Sequence, residues 1–116
     1  IEGFLNTLVE QLSLPGRPRG CLHANTSLEM PTVPKAILRI IADRTSALER
    51  AFYGVFQNAR RQGSIARSAD IRAMARFYLG VAKGIAVLHK VSGDKAMLRD
   101  VVTVAMTKWP AADASQ

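Results

Sequence analysis

Residues 68–93 read SADIRAMARFYLGVAKGIAVLHKVSG, and this stretch decides the fold. Ser68 is suited to cap a helix, because its hydroxyl can accept from free backbone N–H groups, and Ser92 with Gly93 mark the end of that helix. Its four basic side chains fall within roughly 40° of one another on a helical wheel: Arg72, Arg76, Lys83 and Lys90. Nearly all the remaining circumference is apolar or small. A surface helix needs an apolar stripe of only about 100°, so the surplus predicts burial against a second surface.

The last helix has the same excess. It is predicted from about Lys95 to Trp109, where Pro110 ends it, and it too carries a broad apolar arc. Two such helices from each of two copies would form an intermolecular four-helix bundle with two-fold symmetry. Gly80 and Gly84 would let a helix of the partner approach closely. The predicted dimer interface comprises Phe77, Gly80, Val81, Gly84, Val87, Leu88, Val101, Val102, Ala105 and Trp109.

The sequence pattern before this pair of helices also predicts helices. Apolar residues at helical spacing cover residues 2–13, a proline- and glycine-containing turn follows at 14–19, and a short helix is predicted at about 20–30. A long helix runs from about Pro34 to Gln62, with Gly63 supplying the left-handed residue that ends it. On its apolar face we place Ile37, Ile41, Leu48, Phe52, Val55, Phe56 and Ala59. The sequence therefore predicts an all-α, five-helix, bundle-like domain over residues 1–110, followed by a frayed tail at 111–116.

Length and composition agree with one soluble domain. The chain has 116 residues, of which 48% are hydrophobic, and its apolar runs are too short to span a membrane. The single Cys21 cannot form an intramolecular disulfide, and no secretory leader opens the sequence, so we expect a cytoplasmic protein. Because Ile1 already lies on an amphipathic pattern, we expect an upstream part in the natural protein.

A small-molecule site is predicted between the first four helices, whose apolar faces turn inward and include a few polar groups. Asn25 lies among apolar neighbours, and its amide either bonds to backbone or waits for a ligand. As an alternative to ligand contact, the Thr45 hydroxyl would form a hydrogen bond to the backbone of its own helix. For the other candidates, the alternative is ordinary packing in the core. The candidate ligand-binding residues are Leu8, Cys21, Asn25, Thr45, Leu48, Phe52, Phe77 and Tyr78.

The charge of the chain favours acidic partners. Sixteen Lys and Arg against nine Asp and Glu give a net charge of +7. The densest group comprises Arg60, Arg61, Arg67, Arg72 and Arg76. Almost no aromatic residues are interleaved with these arginines for base stacking, so a solvated basic surface is the preferred interpretation over a nucleic-acid site.

The sequence contains no motif typical of an enzyme or of a metal site. The sequence contains no C-x-x-C and no H-x-x-x-H, and it offers no nucleophile and base pair. Gly80 and Gly84 follow no strand, which excludes a phosphate loop. We therefore expect no enzyme activity, no metal and no cofactor.

Several segments resemble the C-terminal domain of the TetR family of bacterial repressors. Residues 20–29, GCLHANTSLE, are similar to the family's GCL-x-x-N-x-x-LE segment, although His23 stands where relatives usually carry an apolar residue. Ala51-Phe52 followed by residues 60–63, RRQG, resembles the family's long helix, and residues 75–84, ARFYLGVAKG, resemble its dimer helix. The resemblance spans essentially the whole chain.

The resemblance implies the regulatory half of a two-domain repressor. In such a protein an N-terminal helix-turn-helix domain, absent from this chain, reads DNA, while the C-terminal domain dimerises and binds an effector of unknown identity. Two alternatives remain open at this point: a purely structural dimerisation module with a filled core, and a basic helical module that itself binds nucleic acid.

Overall fold

The structure, a computed structural model, describes residues 1–14 and 33–112. These residues form four helices: α1 (Glu2–Leu12), α2 (Lys35–Arg61), α3 (Ile71–Val91) and α4 (Lys95–Met106). The described part contains no strand, only one isolated bridge between Ile65 and Ala111. The all-α prediction is confirmed, and the short helix predicted at 20–30 lies outside the described residues.

The helix ends follow local chemistry, with two corrections to the predicted boundaries. Asp70, not Ser68, caps α3, because its carboxylate accepts a hydrogen bond from the Ala73 backbone N–H over 3.1 Å. Asp94 caps α4 in the same way through Met97. Gly63 has φ = +73° and ends the turn after α2, as predicted from the sequence.

The second correction concerns the end of α4, which stops at Met106 and not at Trp109. The backbone N–H groups of Thr107, Lys108 and Trp109 donate to the carbonyl oxygens three residues earlier, so the chain tightens beyond the helix. The tighter turn brings the Trp109 ring onto Phe56, with ring centroids 5.0 Å apart.

The core lies where α2 packs on α3 and where α1 packs on both α3 and α4. Phe56, Tyr78 and Trp109 form an aromatic cluster at its centre, with centroid distances from 5.0 to 6.2 Å. The buried residues of α2 are all in its C-terminal half, from Phe52 onwards. Ile37 and Val55, which the sequence analysis placed on the packed face, are exposed at the surface.

The chain after α4 returns to the loop between α2 and α3. The Ala66 backbone N–H donates to the Pro110 carbonyl oxygen over 2.9 Å, next to the bridge that joins Ile65 to Ala111. Ala111 was assigned to the frayed tail from the sequence, whereas this bridge holds it against the buried Ile65. Among the described residues, no helix is both long enough and apolar enough to cross a membrane.

Candidate functional site

An apolar groove of about 530 Å³ lies between α3 and α4 on the surface of the protomer. Phe77 and Val81, one turn apart on α3, form one wall. The α4 wall consists of residues at helical spacing and continues into the turn beyond that helix: Met97, Asp100, Val101, Val104, Ala105 and Lys108. Phe77 is 41% exposed and Val104 is 63% exposed, so this face presents large apolar side chains to solvent.

A buried hydrogen bond fixes the two walls relative to each other. The Tyr78 hydroxyl, on α3, donates to the Ala105 carbonyl oxygen of α4 over 2.9 Å. Burial raises the pKa of this hydroxyl above its ordinary value of 10.0, because the charged phenolate would be poorly solvated in the core. The Phe77 ring packs edge-on against Tyr78 with centroids 5.0 Å apart, which holds Phe77 at the rim of the groove.

The residues predicted for the dimer interface divide between this face and the core. Phe77, Val81, Val101 and Ala105 line the groove. Exposed or half-buried positions on α3 account for four more: Gly80, Gly84, Val87 and Leu88. The other two pack inside the protomer. Val102 is buried in the core, and the Trp109 ring packs against Phe56 in a tilted arrangement.

The predicted ligand-binding residues are not brought into one described cavity. Phe77 lines the groove between α3 and α4, and none of the other described candidates lines that groove or either of two polar surface cavities. Tyr78 and Phe52 are buried in the core, while Leu8 and Leu48 are half-buried and pack against that core. Thr45 is half-buried on α2. Cys21 and Asn25 lie outside the described residues, and the ligand site therefore stays a prediction.

Four of the five arginines grouped together from the sequence are divided between two polar surface cavities. Arg72 and Arg76 join Arg50 in a cavity of about 250 Å³, whereas Arg60 and Arg61 line a separate one of about 190 Å³. Glu49 bridges the first pair, 3.8 Å from Arg72 and 2.8 Å from Arg76.

The Arg72 guanidinium also lies over the Tyr53 ring, 4.6 Å from its centroid. Two of the five predicted arginines are therefore engaged within the protomer by Glu49 and Tyr53. Arg67 lines neither cavity.

Sequence reasoning missed four residues that line the groove: Met97, Asp100, Val104 and Lys108. The available signal was spacing. Met97, Val104 and Lys108 lie three or four residues from Val101 or Ala105, and Asp100 lies three residues from Met97 and four from Val104, so all four are on the same side of the chain. Within residues 1–14 and 33–112, no cluster of three or more His, Cys, Asp or Glu side chains could hold a metal ion.

Comparison with known proteins assigns the domain to a family. Residues 1–109 match the family described as "Tetracyclin repressor-like, C-terminal domain". No curated protein and no solved structure matches the chain. Domains of this family are regulatory and non-enzymatic, and they typically bind a ligand and dimerise. With a match over nearly its whole length, the chain belongs to the family of tetracycline-repressor-like C-terminal domains.

Proposed function

We propose that this chain is the dimerising, effector-sensing domain of a bacterial transcriptional repressor, and that α3 and α4 form the dimer interface. The observation that carries the dimer is the apolar groove between these two helices. A second copy packing its own α3 and α4 there would complete an intermolecular four-helix bundle and remove Phe77 and Val104 from water. In the intact repressor, DNA would be contacted in the cytoplasm by a separate helix-turn-helix domain.

Charged variants at two exposed valines, one inside the groove and one outside it, test the interface. Val104→Asp places a charge in the groove, whereas Val55→Asp places one on an exposed apolar position of α2 outside the groove. We expect light scattering coupled to size-exclusion chromatography to show a dimer for the wild type and Val55→Asp, and a monomer for Val104→Asp. If Val104→Asp remains a dimer, the interface does not include this face of α4.

Effector sensing follows from family membership together with the inward-facing apolar positions on α1 and α2. A ligand that binds only the folded domain stabilises it by about 2.7 kcal/mol at a hundred times its Kd, which a thermal-shift screen detects readily. In the intact repressor, such a ligand would act through its difference in affinity between DNA-bound and released conformations.

The screen uses this chain with a library of metabolites and drugs. We expect at least one compound to raise the melting temperature, and the rise to be lost in Asn25→Ala while Val55→Asp retains it. A library without binders would favour the alternative of a purely structural dimerisation module with a filled core.

The alternative of a nucleic-acid-binding module remains testable through its salt dependence. Phosphate contacts would produce DNA binding by this chain at low salt that charge reversal of Arg61 and Arg67 abolishes. Since Glu49 already engages Arg72 and Arg76, we expect no such binding.

A further inference from the structure

Among residues 1–14 and 33–112, two opposite charges at the groove have no ion-pair partner. Asp100 and Lys108 both line it, and neither makes an ion pair among the described residues. The other charges of α4 are used differently, because Lys95 and Arg99 both bind Glu10 of α1, at 2.8 and 2.6 Å. A partner that covers the groove would leave Asp100 and Lys108 unpaired in partly desolvated surroundings, unless it supplied opposite charges to them.

The positions of these charges are symmetric about one residue. Val104, the most exposed large apolar residue of α4, lies four residues after Asp100 and four before Lys108. In a two-fold dimer, if residue i of one copy contacts residue j of the other, then j also contacts i. Two antiparallel copies of α4 crossing at Val104 therefore place Asp100 opposite the partner's Lys108, and Lys108 opposite the partner's Asp100.

A parallel arrangement would have the opposite electrostatic result. It would place Asp100 beside the partner's Asp100 and Lys108 beside the partner's Lys108, so that like charges face each other at both ends of the contact. Specificity between two arrangements depends on the difference in their free energies, and like-charge contacts disfavour the parallel one. The charge pattern on α4 therefore selects the antiparallel crossing.

We propose that two copies of this chain meet with their α4 helices antiparallel across a two-fold axis at Val104, and that reciprocal Asp100–Lys108 ion pairs set the register. The proposal rests on the proposed dimer and adds its geometry. Phe77 and Val81 of α3 would flank the crossing, because they form the opposite wall of the same groove.

Charge exchange tests the ion pairs. Asp100→Lys and Lys108→Asp each place like charges opposite each other, and we expect each to raise the dimer Kd about tenfold in sedimentation equilibrium. The double variant restores opposite charges and should return to within about threefold of the wild type. Asp43→Lys, an exposed site on α2 outside the groove, changes the net charge as Asp100→Lys does and should leave the Kd unchanged. Single and double variants that weaken the dimer additively would overturn the pairing.

Disulfide formation tests the direction of crossing, in a Cys21→Ser background. In the antiparallel dimer, Val104→Cys cross-links to its copy on oxidation. Asp100→Cys alone does not, because two copies of position 100 lie about 12 Å apart along the helix axis, beyond disulfide reach. Combining Asp100→Cys with Lys108→Cys restores cross-linking between copies.

The outcomes separate the two proposals. Cross-linking of Asp100→Cys alone, in a chain that still dimerises, would overturn the antiparallel register and leave the proposed dimer standing. A wild-type chain that stays monomeric would overturn both. The charge-exchange measurement uses the native cysteine, so it decides the register even if Cys21→Ser fails to fold.

Discussion

The hydroxyl of Tyr78 and the backbone carbonyl of Ala105 are joined by a buried hydrogen bond of 2.9 Å, 27 residues apart in sequence. The same carbonyl oxygen accepts the Lys108 backbone N–H over 3.1 Å, where the chain leaves α4. This contact lies beneath the groove, and it fixes α3 against the part of α4 that we propose for dimerisation. Removing this hydrogen bond is the simplest way to weaken the contact between α3 and α4 without changing the surface of the groove.

Tyr78→Phe removes the hydroxyl and keeps the ring. We expect a loss of about 1 kcal/mol in the free energy of unfolding, because the Ala105 oxygen keeps Lys108 as a donor. Urea unfolding would show this as a lower midpoint with an unchanged m value. Tyr53→Phe serves as the control and should change stability by less than about 0.5 kcal/mol. Equal losses of unfolding free energy in both variants would mean that the hydrogen bond from Tyr78 to Ala105 does not stabilise the fold.

Alkaline pH should destabilise the fold through Tyr78. Burial raises the pKa of its hydroxyl above the ordinary value of 10.0. As the pH rises through that value, the unfolded chain releases this proton before the folded chain does, so the free energy of unfolding falls. The wild type should therefore lose stability more steeply above pH 10.0 than Tyr78→Phe does. Parallel declines of the two urea midpoints with pH would contradict this account.

Acid pH should weaken the contact between α1 and α4. Hydrogen bonds from Lys95 and Arg99 lower the pKa of the Glu10 carboxyl below its ordinary value of 4.5. Its contribution to stability is therefore complete above that value and is lost as the pH falls through the lowered pKa of the folded state. Glu10→Gln should lower the urea midpoint at neutral pH but not in strong acid, and about 1 M salt should shrink the difference.

The control for this prediction is Asp43→Asn, which removes an exposed carboxylate that forms no ion pair among the described residues. Its urea midpoint should follow the wild type at every pH. If the two variants shift together, the effect belongs to net charge rather than to the contact of Glu10 with α4.

Gly84→Leu should weaken the dimer without harming the protomer. A Cβ at Gly84 would meet nothing within 4 Å, so the first side-chain carbon fits, and we expect the rest of the leucine to project toward the partner. Replacing a helical glycine also favours the helix by about 1 kcal/mol. Gly54→Leu is the matched control, because Gly54 is equally open but lies on α2. Sedimentation equilibrium should show about tenfold weaker association for Gly84→Leu only. If Gly84→Leu associates as the wild type does, the interface does not include this face of α3.

The sequence predicts the helices well because their signals are local. The period of apolar residues places α1, α2 and α3, and Gly63 and Gly93 end α2 and α3 through positive φ angles. The cap of α3 is harder to predict, since Ser68 and Asp70 are both good capping residues, and it is Asp70 whose carboxylate accepts from the Ala73 backbone N–H. Trp109 continues the apolar pattern of α4, but the tightened turn carries it into the core instead.

The candidate site is less visible in the sequence, because its decisive contacts are long-range. The sequence analysis places Tyr78 among the candidate ligand contacts between the first four helices, whereas its hydroxyl bonds to Ala105 on another helix. Asp100 and Lys108 read as ordinary surface charges until the fold shows Glu10 engaging the other charges of α4 and leaving these two at the groove.

Sedimentation equilibrium of the wild-type chain over a wide concentration range tests the central claim most directly. If the groove between α3 and α4 binds a second copy, the mass will approach twice 12.6 kDa as concentration rises. A mass that stays at 12.6 kDa at the highest concentration would contradict the proposed dimer.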